Sequence, residues 1–172
     1  MDVSLQDRLK RLRLLATDFD GVMTDGYVFV DEGGREWVRC SRKDGLGIGL
    51  LRREGVEVIV LSKETNPVVA ARCRKLRIPC FHGIEDGQGK LEKLQEIALQ
   101  KGFSPEEIGF IGDDVNDCEA LKYAGVSMTV SDAHPSVLSL CCYVTRACGG
   151  AHAVREIAEM ILAAKGRAVG GP

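Results

Sequence analysis

The chain has 172 residues, 45% hydrophobic and 28% charged, which suits one globular domain with a core of its own. Its net charge of -2 makes no electrostatic case for nucleic acid or an anionic membrane as partner. No apolar run is long enough to span a bilayer, and Met1 to Arg13 is too charged and polar for a secretory signal. The seven cysteines form no Cys-x-x-Cys pair, so reduced thiols in a cytoplasm are expected rather than a disulfide framework or a zinc site.

In chain order, the apolar run from Leu14 reads as a buried strand that ends abruptly in Asp18-Phe19-Asp20-Gly21. An extended strand puts Asp18 and Asp20 on one side. Two anions that close repel unless a cation or a shared proton lies between them. The plainer alternative is an Asx turn after the strand. Gly26 to Val30 and Arg35 to Cys40 read as a β-hairpin around Asp31-Glu32-Gly33-Gly34. Tyr27, Phe29, Trp37 and Val38 give it an apolar surface, for which another subunit is the favoured cover and its own domain the alternative. A helix is expected from about Gly45 to Gly55, with Gly47 and Gly49 marking a close approach of helix to sheet or of ligand to backbone.

Glu57 to Leu61 is the second core strand, followed by Ser62-Lys63-Glu64-Thr65. Asn66-Pro67 opens a helix to Leu76. A strand end, a hydroxyl and a helix N-terminus together make a phosphate site, although Ser62 alone reads as a turn residue. Pro79 to His82 is a short strand. The next helix is expected from about Gly89 to Lys101, closed by Gly102. Lys90 opposes the helix dipole there unless anions lie in front of it. Ser104-Pro105-Glu106-Glu107 has the form of a capping box. Ile108 to Ile111 is a fourth core strand, and it runs into a second acidic cluster, Gly112-Asp113-Asp114-Val115-Asn116-Asp117. A helix from Asn116 to Ala124, a strand Val126 to Val130, a short helix near Ser136 to Leu140, a strand near Tyr143 to Thr145 and a helix Ala153 to Ala164 complete the chain. Residues 1–165 are expected to be one domain, with hairpin 26–40 projecting and 166–172 a flexible tail. The alternation implies an α/β fold: a mostly parallel sheet between two layers of helices. Two strand ends bearing Asp pairs can converge on one hard cation such as Mg²⁺.

Asp18-x-Asp20-Gly21-x-x-Thr24 and Gly112-Asp113-x-x-x-Asp117, in this order and at this separation, resemble the first and last motifs of the haloacid dehalogenase superfamily. The resemblance implies a Rossmann-like three-layer sandwich with the Asp18 strand in the middle. It also implies that Ser62 is the second-motif hydroxyl and Lys90, rather than Lys93, the third-motif lysine. The stretches Asp25 to Glu57 and Ser62 to Lys90 leave no room for a cap domain. The chain is similar over nearly its whole length to the capless, tetrameric 3-deoxy-D-manno-octulosonate 8-phosphate phosphatases, the nonulosonate 9-phosphate phosphatases and the phosphatase-like domain fused to some acylneuraminate cytidylyltransferases. Asp44-Gly45-x-Gly-Ile48, Asn66 to Arg72 and Gly149-Gly150-x-x-Ala153-Val154-Arg155-Glu156 carry that similarity. Lys63-Glu64 departs from the Gly-Arg of the octulosonate branch, and a Glu at the second place is the nonulosonate pattern. His152 stands where the group often has Gly.

What the resemblance implies is a sugar acid phosphatase acting through an aspartyl-phosphate. Asp18 is the nucleophile and Asp20 the general acid and base. Ser62 and Lys90 hold the phosphoryl oxygens. Asp18, Asp113 and the Asp20 backbone carbonyl bind Mg²⁺. Asp117 orients Lys90, and Asp114 or Asn116 a metal-bound water. Lys63, Glu64, Asp44 and Gly45 are the expected substrate contacts, and a homotetramer the expected assembly. Two other readings are a phospho-acceptor receiver domain, which has no acid two residues beyond its Asp, and a silent oligomerisation module.

Overall fold

The computed structural model describes residues 4–167, so the expected flexible tail falls outside it from residue 168 onward. Helix α1 (Leu5–Arg11) comes first and is not foreseen from the sequence. It is a two-turn element capped by Ser4, whose hydroxyl accepts from the Asp7 amide at 3.2 Å. Leu9 is its one buried residue, too little for a periodic signal. Strand β1 (Leu14–Thr17) is buried throughout. The hairpin strands β2 (Phe29–Val30) and β3 (Glu36–Trp37) pair antiparallel as expected. Helix α2 (Arg42–Arg53) starts before Gly45, because Ser41 accepts from the Lys43 and Asp44 amides at 3.1 and 3.4 Å and so fixes the cap there.

Next come β4 (Glu57–Leu61) and α3 (Pro67–Leu76), the latter opened by Asn66 with proline in the first turn. Strand β5 (Cys80–Phe81) is followed by α4 (Gly87–Lys101). Its cap is Asp86, which accepts from the Gly89 amide at 2.8 Å, so the helix begins two residues ahead of Gly89. The Ser104 capping box forms, but around a single 3₁₀ turn, Pro105–Glu107. Strand β6 (Ile108–Gly112) leads into a 3₁₀ turn, Val115–Asp117, and then α5 (Cys118–Tyr123). The helix expected from Asn116 is divided because Asp114 and Asp117 cap each other's backbone amides across that turn. Strand β7 (Val126–Thr129), helix α6 (Pro135–Leu138), strand β8 (Tyr143–Val144) and helix α7 (Ala153–Ala164) finish the fold.

Six strands form one parallel sheet in the order β5-β4-β1-β6-β7-β8. Strand β1 is central, paired with β4 on one side and β6 on the other. The chain first builds outward from β1 through β4 to β5, then crosses back and builds outward the other way from β6. The order therefore reverses between β1 and β6, and in open α/β sheets the crevice beyond such a reversal is where ligands bind. Helices α1 and α2 pack on α7, and α2 also meets α3, while α4 packs on α5. This is the expected three-layer arrangement. No helix among the described residues is long and apolar enough to cross a membrane.

Gly47 and Gly49 separate in role. A Cβ on Gly47 would lie 3.1 Å from Ala158 Cβ and 3.1 Å from Arg155 Cα, so this glycine lets α2 lie close against α7. A Cβ on Gly49 would meet no packing neighbour within 4 Å among the described residues, so no close approach there requires glycine. Gly49→Ala is therefore expected to raise stability by about 0.5–1 kcal/mol, the helical penalty of glycine. Gly47→Ala is expected to gain nothing or to destabilise. Urea denaturation of both variants checks this, and equal gains at the two sites would contradict the packing described.

Candidate active site

The carboxyl ends of β1 and β6 bring the two acidic clusters together. The Asp18 amide donates to the Ile111 carbonyl at 2.8 Å, which extends the β1–β6 ladder one residue past the strand. The Asp18 carboxylate is buried and fixed at both oxygens. Oδ1 accepts from the Phe19 amide at 2.6 Å, and Oδ2 lies 2.9 Å from Lys90 Nζ. Lys90 itself is fully buried, and its Nζ donates to Asp117 Oδ1 at 2.7 Å. Asp117 Oδ2 accepts from the Asp113 and Asp114 amides at 3.0 and 3.3 Å. One buried lysine thus ties the β1 cluster to the β6 cluster. Lys93 faces outward, pairs with Glu96 and lies over the Phe81 ring.

Glycines make this meeting possible. Gly21 has φ of 78°, and a Cβ there would fall inside the Asp113 carboxylate. A Cβ on Gly112 would collide with Asp117 in the same way. Thr24 closes the β1 loop: its hydroxyl accepts from the Gly21 and Gly26 amides at 3.3 and 3.1 Å and donates to Asp20 Oδ1 at 3.3 Å. Ser62 is buried at the end of β4, where its Oγ accepts from the Glu64 amide at 3.1 Å. That bond leaves the hydroxyl hydrogen free for an oxygen ligand.

Electrostatically the cluster is overloaded with anions. Burial, then the neighbouring Asp117 charge, pushes the Asp18 carboxyl well above the usual carboxylate range. Burial, then Asp117 and Asp114, pushes Asp113 up to about 7. Burial works against the Lys90 charge, but Asp18 and Asp117 outweigh it and its pKa rises. Asp18, Asp113 and Asp117 each bring a carboxylate oxygen within 4.8 Å of the others. Asp117 serves Lys90 and two amides, and Asp18 serves Lys90 and the Phe19 amide, so a cation held by this group would share their oxygens with those donors. Hard oxygen donors carrying uncompensated negative charge fit Mg²⁺.

The cluster floors a cavity of about 530 Å³. Asp18, Asp20, Asp113, Asp114 and Asn116 line it from the ends of β1 and β6, Ser62 through Thr65 from the loop after β4, Val68 from the first turn of α3, and Gly26, Val28, Glu36 and Val38 from the hairpin. Of the expected substrate contacts, Lys63 and Glu64 reach this lining. Asp44 and Gly45 do not: Asp44 is buried in the first turn of α2, where Oδ1 accepts from the Arg155 amide at 2.8 Å, and Gly45 faces Leu76 and Arg72. The reason is long-range, since Asp44 caps α7, far off in sequence. The face of the hairpin that carries Val28, Glu36 and Val38 lines the cavity of its own chain, which is the alternative weighed from the sequence for that part of its surface. Glu36 is the lining residue least visible beforehand; alternation along β3 places it opposite Trp37's face, and it accepts from Asn66 Nδ2 at 3.1 Å.

Known proteins share this architecture. A family model for haloacid dehalogenase-like hydrolases matches residues 79–154. The 3-deoxy-D-manno-octulosonate 8-phosphate phosphatase of Escherichia coli K12 is 32% identical over 160 residues, which cover 93% of this chain and 84% of that protein. A HAD family hydrolase from Streptomyces avermitilis superposes with a TM-score of 0.85 at 42% identity, covering 90% of this chain and 87% of that one. The 3-deoxy-D-manno-octulosonate 8-phosphate phosphatase of Moraxella catarrhalis, solved with a magnesium ion, a phosphate ion and KDO, superposes with a TM-score of 0.89 at 29% identity, covering 94% and 91%.

Gly21→Ala should displace the Asp113 carboxylate and strain the β1 loop. Mg²⁺ affinity, read by calorimetry, is expected to fall at least tenfold while the far-ultraviolet spectrum stays unchanged. Wild-type affinity in that variant would mean that Gly21 does not set the distance between the clusters.

Proposed function

Because the chain belongs to the haloacid dehalogenase superfamily, in the group of the 3-deoxy-D-manno-octulosonate 8-phosphate phosphatases, we propose that it hydrolyses the phosphate monoester of a 2-keto-3-deoxy sugar acid. It is a phosphoric monoester hydrolase. The observation that supports hydrolysis through Asp18 is the pairing of two unlike carboxylates on one loop: Asp18, immobilised by Phe19 and Lys90, and Asp20, lining the same cavity. Asp18, Asp113 and the Asp20 carbonyl would hold Mg²⁺, which when bound would neutralise charge on the phosphoryl group. Asp18 attacks phosphorus, and the bond from phosphorus to the sugar oxygen breaks as the Asp18–phosphorus bond forms. Asp20 gives its proton to the departing sugar alkoxide. Water then attacks the aspartyl-phosphate, Asp20 takes a proton from it, and phosphate leaves. Burial, then the Glu64 charge, raises the Asp20 pKa, which suits the acid role. Ser62 and Lys90 hold phosphoryl oxygens. Asp117 orients Lys90, and Asp114 or Asn116 would hold a metal-bound water. A receiver domain has no use for such an acid, and a silent module none for the intact set.

Glu64 bears on the sugar. Its Oε1 accepts from the Thr65 and Asn66 amides at 2.7 and 2.8 Å, which pins the carboxylate at the cavity rim. A pinned anion repels a substrate carboxylate and accepts from sugar hydroxyls, while Lys63 supplies only a flexible point charge. We read this as a preference for a nine-carbon ulosonic acid 9-phosphate over the eight-carbon 8-phosphate. The hairpin bears on assembly. Tyr27, Phe29 and Trp37 are 77%, 70% and 55% exposed, an apolar face suited to a homotetramer in which it covers a neighbour. Seven free cysteines suit a reducing cytoplasm.

Asp18→Asn should abolish turnover with the fold intact. Asp20→Asn should lose roughly 10²–10⁴-fold on the sugar phosphate. It should lose far less on p-nitrophenyl phosphate, whose leaving group needs no acid; equal losses on both would remove Asp20 from that role. Glu64→Arg should shift the ratio of kcat/KM for the two sugar phosphates by roughly tenfold or more, the worth of a charge-assisted contact. An unmoved ratio, or a wild type that prefers the eight-carbon substrate, would refute the reading of Glu64. Sedimentation should give a tetramer that Trp37→Glu dissociates, and a wild-type monomer at micromolar concentration would end that proposal.

A further inference from the structure

His152 has φ of 78° and ψ of 19°, a left-handed backbone that it shares with Arg77 alone among the described non-glycine residues. Such a conformation disfavours a side chain with a Cβ, and it persists only where the surroundings enforce it. What enforces it is legible. Ser41 Oγ and His152 Nδ1 are 2.7 Å apart. Ser41 Oγ already accepts from the Lys43 and Asp44 amides as the cap of α2, so its own hydrogen points at His152 Nδ1. The Ser41 carbonyl in turn accepts from Arg72 Nη2 at 2.7 Å.

Both neighbourhoods of His152 matter to the cavity. On one side Gly149 and Gly150 lie backbone to backbone against the β1 loop, where the Gly150 amide donates to the Val22 carbonyl at 3.0 Å. Side chains at either glycine would collide with Gly21, Thr24 or Asp25. On the other side Ser41 is the root of the hairpin's second strand, three residues past Val38, which lines the cavity. Arg39 adds an ion pair to Asp25 at 2.8 Å across the same gap. The mechanism proposed above makes no use of His152.

We propose that His152 is a positioning residue: through Ser41 it ties the root of hairpin 26–40 to the loop that backs the Asp18–Asp25 segment, and so sets how the hairpin meets the leaving group. It acts on the sugar-facing wall and leaves phosphoryl transfer alone. This rests on the phosphatase reading for its kinetic arm but not for its structural one.

The test uses His152→Gly and His152→Asn in the full chain. Glycine takes φ of 78° without strain, so the first variant folds while losing the tether. Asparagine tolerates the left-handed region, and its Oδ1 stands where Nδ1 stood, so the second keeps the tether. In His152→Gly, KM for the sugar phosphate is expected to rise roughly three- to tenfold, the range of one neutral hydrogen bond. Turnover of p-nitrophenyl phosphate should stay within about twofold of wild type, since that small substrate does not need the hairpin wall. Amide hydrogen exchange across 36–41 should quicken, and His152→Asn should restore both KM and protection. Wild-type KM and exchange in His152→Gly, failure of His152→Asn to rescue, or equal losses on both substrates would each overturn the proposal. If the wild type released no phosphate from any substrate, the function would fall, and the exchange data would still decide the tether.

Discussion

Everything at the mouth of this sheet depends on one buried ammonium. Lys90 Nζ reaches Asp18 and Asp117 at 2.9 and 2.7 Å with no exposure to solvent. Taking these charges out of water is expensive, and removing one partner of such a set typically costs about 3–5 kcal/mol because the others stay buried and uncompensated. Stability is therefore a poor reason for the lysine to be there. Its consequence is positional: it holds the ends of two neighbouring strands in one electrostatic unit. With Asp18, Asp113 and Asp117 all ionised, the one ammonium leaves an excess of two negative charges, which a single divalent cation would offset. Burial, then the charges of Asp117 and Asp114, pushes Asp113 up to about 7.

The loops around this unit are built for close approach more than for stability. Gly21 and Gly112 stand where any side chain would strike a carboxylate of the cluster, and Gly149 where it would strike the β1 loop itself. Thr24 closes that loop by serving two amides and Asp20 at once. Asp117 takes two backbone amides on one oxygen and Lys90 on the other, so the β6 cluster is fixed from behind. Carboxylates held this firmly cost little reorganisation when charge develops between them. The hairpin stands apart from this rigidity. It is a two-residue ladder with one face on the cavity and the other in solvent.

Much of the site was legible because its residues lie at boundaries between elements. Asp18, Asp20 and Asp113 end apolar runs, and Ser62 sits between a strand and a well-signalled helix cap, so local pattern suffices to put them at one edge of the sheet. Lys90 drew notice as a cation too near a helix start, although α4 begins two residues earlier than expected and the lysine lies in its fourth position. What stayed hidden depends on pairings distant in sequence. Asp44 is an expected substrate contact only through the resemblance, whereas in the fold its Oδ1 accepts from the Arg155 amide in the first turn of α7. Glu36 joins the cavity only because the hairpin folds toward Asn66. Helix α1 is too short to show a period, and the turn before α5 is set by reciprocal caps that resemble an ordinary helix start.

The central claim is that Asp18 carries the phosphoryl group between the two half-reactions. The most direct measurement is rapid quench during steady turnover with Mg²⁺, followed by borohydride reduction and peptide mass spectrometry. An acyl phosphate on Asp18 predicts reduction of that side chain to the alcohol, dependent on both substrate and Mg²⁺ and absent from Asp20 and Asp113. Phosphate release with no reduced aspartate, or with reduction at Asp20 or Asp113 instead, would contradict the account.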